Sequence, residues 1–164
     1  MEVFVKHVLP VAALLIAVVF ASAALAAEPT VVLLGKGLGK STGQETVVEA
    51  PKTADNRIVH NERVEIIEST DRVEAAMGRH FGFNYKIVAD QDAVTINRVW
   101  QHPPMTDPDG KVWETQESAV EVETNETHWF GYMFEHDFEL VKGKWTMTIQ
   151  HQGEDLFTTE FDVY

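Results

Sequence analysis

Between Lys144 and His151 the chain alternates strictly. Trp145, Met147 and Ile149 fall on one side, Thr146, Thr148 and Gln150 on the other. A period of two sends successive side chains to opposite faces of a strand, so one face is built for a core. Gln152-Gly153-Glu154 follows as a tight turn whose glycine can take a positive φ. Asp155–Val163 returns with Phe157, Phe161 and Val163 on one face. Upstream, His128–Phe134 is an aromatic-rich strand and Val141-Lys142-Gly143 a turn. Three consecutive antiparallel strands with an apolar face hold together where an isolated hairpin is marginal. The aromatics of this last third, Trp145 and Phe161 above all, are expected in the core.

The other end of the chain reads as a targeting segment. Val8–Phe20 is apolar apart from Pro10, and a run of small residues ends in Ala24-Leu25-Ala26 before polar Glu28. This is the form of a secretory signal peptide, residues 1–26, cleaved near Ala26. An uncleaved anchor is the competing reading, since the apolar stretch nearly reaches spanning length. No second run of that length follows, so no stable membrane insertion is expected after cleavage, and the product belongs in the periplasm or outside the cell. The chain has no cysteine. That excludes disulfides, thiol catalysis, thiolate metal sites and a cysteine-linked lipid anchor.

Val31–Leu34 leads into Gly35-Lys36-Gly37-Leu38-Gly39-Lys40-Ser41-Thr42, which imitates a phosphate loop. The pattern fails because Leu34 stands where the first glycine must be, and the dinucleotide spacing fails as well. Residues 43–56 also lack the apolar helix that such a loop must open. The expectation is a first strand that ends in a flexible glycine-rich loop, residues 27–57 in all, leading into a sandwich core at 58–164, with the whole mature chain one domain.

In Ile58–Ser69 a strand with Val64 and Ile66 inward competes with a helix from Glu62 to Met77. Phe81, Phe83, Tyr85 and Ile87 share one face of a strand over Phe81–Ala89. Ala93–Gln101 places Val94, Ile96, Arg98 and Trp100 on one side, and His102-Pro103-Pro104 should end it, since proline gives no ladder donor. Asp107–Gly110 is a turn by composition, without the ligand spacing of a calcium loop. In Val112–Thr124, Val120 and Val122 alternate with Glu121 and Glu123. Seven or eight short strands at regular spacing imply an all-β, immunoglobulin-like antiparallel β-sandwich.

Gly78-x-x-Phe81-Gly82-x-x-Tyr85, Trp100-x-His102-Pro103, Gly110, Gly131-Tyr132-x-Phe134-Glu135, Glu139-Leu140-x-x-Gly143-x-Trp145 and the ending Leu156–Val163 stand in this order. Together they resemble an uncharacterised bacterial family of short, mostly secreted domains of unknown function. The likeness runs from about Val31 to the end and is strongest from Gly78. It implies a secreted β-rich domain and favours the strand in Ile58–Ser69. The stretch Gly35–Asn56 departs most from the family pattern. The family brings no known activity or catalytic residue.

The net charge of −13 repels phosphate backbones and anionic lipid, which argues against nucleic-acid binding. Ser41, Ser69 and Ser118 are the mature serines, none in a nucleophile-elbow context. No two histidines stand at a metal-ligand spacing, so a metal site would need convergence of separate strands, with His102, His128 and His136 as candidates. Trp100, His102 and Trp113 flank one proline turn and, if exposed, would suit a glycan or protein partner; core packing of both tryptophans is the plainer alternative. The expected function is a non-enzymatic binding or envelope accessory module without a cofactor. A divalent-metal-binding periplasmic protein and a secreted hydrolase are the alternatives, marked by converging histidines and by a polar cleft with paired acids.

Overall fold

The computed structural model describes residues 28–61 and 63–164. The expected signal peptide and its cleavage point lie outside these residues, as does Glu62, where the rival helix would begin. Among the described residues no helix is long and apolar enough to cross a membrane.

Among the described residues eleven strands form in order: β1 (Thr30–Ser41), β2 (Glu45–Glu49), β3 (Arg57–Asn61), β4 (Val64–Glu68), β5 (Arg72–Val73), β6 (His80–Val88), β7 (Ala93–Thr106), β8 (Val112–Glu123), β9 (His128–Met133), β10 (Gly143–His151) and β11 (Glu154–Val163). One sheet has the order β4-β1-β6-β9, the other β5-β11-β10-β7-β8. The ladders are antiparallel except β5 on β11. The segment read as strand or helix is strand, with Val64 buried and Ile67 exposed.

Alternation fills the space between the sheets. Phe81, Phe83, Tyr85 and Ile87 of β6 are fully buried, and they face Trp145, Met147 and Ile149 of β10, also fully buried. The Trp145 ring meets Phe81 and Phe134 edge-on at 5.7 and 5.6 Å, and its indole N–H donates to the Val141 carbonyl at 3.1 Å. Truncating such a ring in a close-packed core typically costs about 3–5 kcal/mol. The β10–β11 turn has Gln152 at φ 50° and Gly153 at φ 89°. Two successive positive φ values match the right-handed twist of the flanking strands.

Three expectations are corrected. First, β9 does not pair with β10. It pairs with β6, and the chain then crosses to the other sheet through a 3-10 turn at Asp137–Glu139. Second, Pro103 and Pro104 do not end β7. They sit in an unpaired interval between Gln101 and Met105, after which the ladder to β8 resumes at Met105↔Trp113. A bulge hosts proline because no donor is needed there.

Third, the glycine-rich stretch is strand, not loop. β1 pairs with β6 through Leu38 and with β4 through Ser41. The reason is close approach. Phe130 faces inward, so Trp129 lies on the outer face of its sheet. A Cβ at Gly39, Gly82 or Gly131 would come within 2.8, 2.9 or 2.5 Å of the Trp129 ring. The glycines make the floor on which this indole lies.

One side of the sandwich is closed by Lys36 of β1. Its ammonium donates to Thr159 Oγ1 at 3.2 Å and to the Glu160 carbonyl at 3.0 Å on β11. The other side, between outermost strands β8 and β9, is held differently.

Candidate functional site

Over that second side lies the β2–β3 hairpin and its connecting loop, residues 50–56, here called the strap. The strap is ordered from within: Ala50 N–H donates to Asn56 O at 2.8 Å, and the Thr53 hydroxyl to Ala50 O at 2.8 Å. It reaches both sheets. Towards β8, Glu117 N–H donates to Lys52 O at 3.1 Å, the Lys52 ammonium to the Glu117 carboxylate at 2.8 Å, and Ala54 N–H to Gln116 Oε1 at 2.8 Å. Towards the end of β9, Arg57 pairs with Asp55 and lies 3.5 Å from Glu135, and His136 stands 3.3 Å from Asp55.

Beneath the strap is a cavity of about 300 Å3. Its walls come from β3, β7, β8 and β9, with His80 of β6 and Glu139 of the 3-10 turn. Trp100, Val120, Val122, Trp129 and Tyr132 give it ring and apolar surface; Arg98, His60, His80 and His128 give it polar groups. A size of some 300 Å3 suits a small ligand, and the lining mixes aromatic and aliphatic surface with a larger share of polar and charged groups.

The buried polar groups form two networks. Gln116 accepts from Ala54 N–H, so its amide nitrogen faces His102 Nε2 at 3.0 Å and donates to it. His102 therefore carries its proton on Nδ1, which donates to Pro103 O at 2.9 Å. Burial pushes the His102 pKa down, so the neutral ring is the native form. In the second network the buried Glu139 carboxylate accepts the Tyr132 hydroxyl at 2.8 Å and the backbone N–H groups of Glu135 and His136 at 2.6 and 2.9 Å. Burial raises the Glu139 pKa, and these donors oppose the rise. His80 accepts the Trp129 indole N–H on Nε2 at 3.0 Å, and burial takes its pKa down to about 4.

The three aromatic candidates are not exposed at a rim. Trp100, His102 and Trp113 are 4%, 6% and 8% exposed. The resumed β7–β8 ladder draws their strands together and turns the rings inward, so the surface expected of this trio is corrected to an interior position. Only Trp100 reaches the cavity, its indole N–H donating to Gly131 O at 3.2 Å across the sheets. Trp113 donates to Asp107 Oδ2 at 2.9 Å and braces the turn.

The metal candidates His102, His128 and His136 do not meet. His102 is in the Gln116 network, His128 Nε2 donates to Glu123 O at 2.7 Å, and His136 stands beside Asp55. Among the described residues no group of three or more histidines and acids could hold a metal ion. Three histidines do share the cavity wall, His60, His80 and His128, a different set from the one expected.

The residues missed in the sequence are Arg98, His60, Gln116 and Trp129. The legible signal was Arg98 in the inward register with Val94, Ile96 and Trp100: a charge on a core face needs an explanation. His60 and Trp129 carry no local pattern.

An immunoglobulin-like protein from Pseudomonas aeruginosa aligns with 84% of this chain and 98% of its own at 21% identity and a TM-score of 0.63. That likeness establishes the fold, an immunoglobulin-like β-sandwich. A β-glucosidase from Listeria innocua in complex with glucose overlaps 78% of this chain and 16% of its own, at 13% identity and a TM-score of 0.34, too weak to bear on function. No curated protein matches. A family profile matches residues 41–163, and by that match the chain belongs to the family described as a domain of unknown function (DUF3859).

Proposed function

We propose that the protein is a non-enzymatic binding module of the cell envelope, periplasmic or secreted, and that the cavity beneath the strap is its binding site. The observation that carries this is the cavity itself, with aromatic rings, histidines and an arginine in its wall. The acids of its wall support binding over hydrolysis. Asp55 and Glu135 are engaged by Arg57, Glu139 by Tyr132 and two backbone amides, and the fourth wall acid, Glu121, is exposed and alternates with inward Val122 on β8. A general acid or base must face its substrate within hydrogen-bond reach, and these face the protein or the solvent. A protein or glycan partner would insert one group of cavity size.

The four tryptophans offer a direct test. Each indole N–H has its own acceptor: Gly131 O for Trp100, Asp107 for Trp113, His80 for Trp129 and Val141 O for Trp145. A fragment screen read by the indole signals in a 15N spectrum should move those of Trp100 and Trp129 and leave Trp113 and Trp145 in place. Hits that move only Trp113, or none that move Trp100 or Trp129, would remove the cavity as the site.

A further inference from the structure

Arg98 is a buried cation on the inner side of its sheet. It lies on the inward face of β7 and is 8% exposed, yet it lines the cavity. One guanidinium nitrogen donates to the Tyr85 hydroxyl at 3.2 Å, and the group stands over the Phe130 ring at 5.7 Å. Its Nε is buried without a hydrogen-bond partner. None of the ion pairs among the described residues includes it.

This is a costly arrangement. A guanidinium stays charged at all ordinary pH and carries five donors. Buried charges are normally paired, because desolvation otherwise goes uncompensated. The wall acids do not supply the counter-charge: Asp55 and Glu135 are held by Arg57, Glu139 by the Tyr132 network, and exposed Glu121 alternates with inward Val122 and forms no ion pair with Arg98. Beside Arg98 is His60 of β3, near enough to feel its positive charge. His60 is half-buried, and among the described residues its ring makes no hydrogen bond. Trp100, Val120, Val122 and Ile58 complete this end of the cavity with apolar surface.

We propose that the cavity takes a small organic anion, a carboxylate on an apolar body, with Arg98 as counter-charge and His60 as a second donor to the carboxylate. The inference rests on the cavity being the binding site, as argued above. A single buried cation matches a singly charged head better than a dianion. An Nη of the guanidinium donates to one carboxylate oxygen and His60 to the other. The body of the ligand lies against Trp100 and the valines of β8.

The test compares charged and uncharged ligands of one shape. Benzoate, benzamide, hexanoate, hexanamide and inorganic phosphate are titrated into the protein, with the Trp100 and Trp129 indole signals as readout. Each carboxylate should bind at least about tenfold more tightly than its amide, as charge-assisted pairing requires. Arg98→Gln should bring each pair level. Should that variant fail to fold, Arg98→Lys retains the charge without the fork, and should weaken carboxylates while keeping their preference over amides. Phosphate that binds as tightly as benzoate overturns the carboxylate on an apolar body, since neither the single charge nor the apolar wall would then be selecting the ligand. Amides that bind as well as carboxylates overturn the anion and leave the cavity as a binding site. Silence from every probe also overturns the anion, while the fragment screen alone decides the cavity.

Discussion

Protonation of His80 would set two donors face to face, because its Nε2 accepts the Trp129 indole N–H. Its pKa is about 4 in the folded chain and near 6.5 when unfolded. Between these values the unfolded state binds the proton and the folded state does not, so stability falls as pH drops from about 6.5 towards 4. The shift corresponds to roughly 3 kcal/mol. His60 and His102 are also shifted down by burial and act in the same direction. Glu139, shifted up, acts oppositely and gains stability on protonation. Urea unfolding across pH 4–7 should show the loss, and His80→Gln should remove much of it. A second residue-scale expectation concerns the glycine floor. An alanine at Gly131 would meet the Phe81 carbonyl and the Trp129 ring, both at 2.5 Å. Gly131→Ala should cost about 1–3 kcal/mol as overpacking. Gly35→Ala, whose new methyl meets only Ile66 at 3.7 Å, should be within about 0.5 kcal/mol of neutral in the same assay. At this scale the sequence is half legible. The inward register of Arg98 is written in its neighbours; its missing partner depends on where every other acid ends up.

Among the elements, the strap turns on one side chain. Gln116 is 2% exposed and joins Ala54 N–H to His102. Gln116→Leu leaves both groups buried without a partner, at about 1–3 kcal/mol each. Hydrogen exchange at the Ala54 amide should accelerate at least as much as global unfolding does; an unchanged Ala54 rate would mean that the strap is held elsewhere. Strands that bury one face were legible: β6, the second half of β8, and β10 with β11. The β2–β3 hairpin was not, because every residue of β2 is exposed and no core is there to impose alternation. The far end of β1 was hidden for the opposite reason. Gly39 is placed by an indole some ninety residues later in the chain and Gly37 by the backbone of Glu68, neither of which a local window contains.

For the molecule as a whole, alternation says which face of a strand is inward but not which sheet it joins. That is why β9 and β10, neighbours in sequence, were legible as strands and not as members of opposite sheets. The two long sides also differ in kind: Lys36 pins one, and a detour of the chain covers the other. The net charge of −13 acts on both. Self-repulsion of this size weakens the compact state and is screened by salt, since the Debye length shrinks to about 4 Å by 0.5 M. The melting temperature should therefore rise between 0.05 and 0.5 M sodium chloride; a fall would mean that the ion pairs outweigh the repulsion.

The strap has one more consequence, for life in a crowded compartment. An outermost strand offers a row of unsatisfied amides and carbonyls to any other strand that comes alongside, which is how folded domains begin to polymerise. β8 and β9 both end their sheets on the side the strap crosses. Light scattering on a variant whose strap has lost its Gln116 and Lys52 anchors should grow with protein concentration. Growth of that scattering would make the loop that shelters the cavity a guard against neighbouring copies adding themselves, strand by strand, to an open edge.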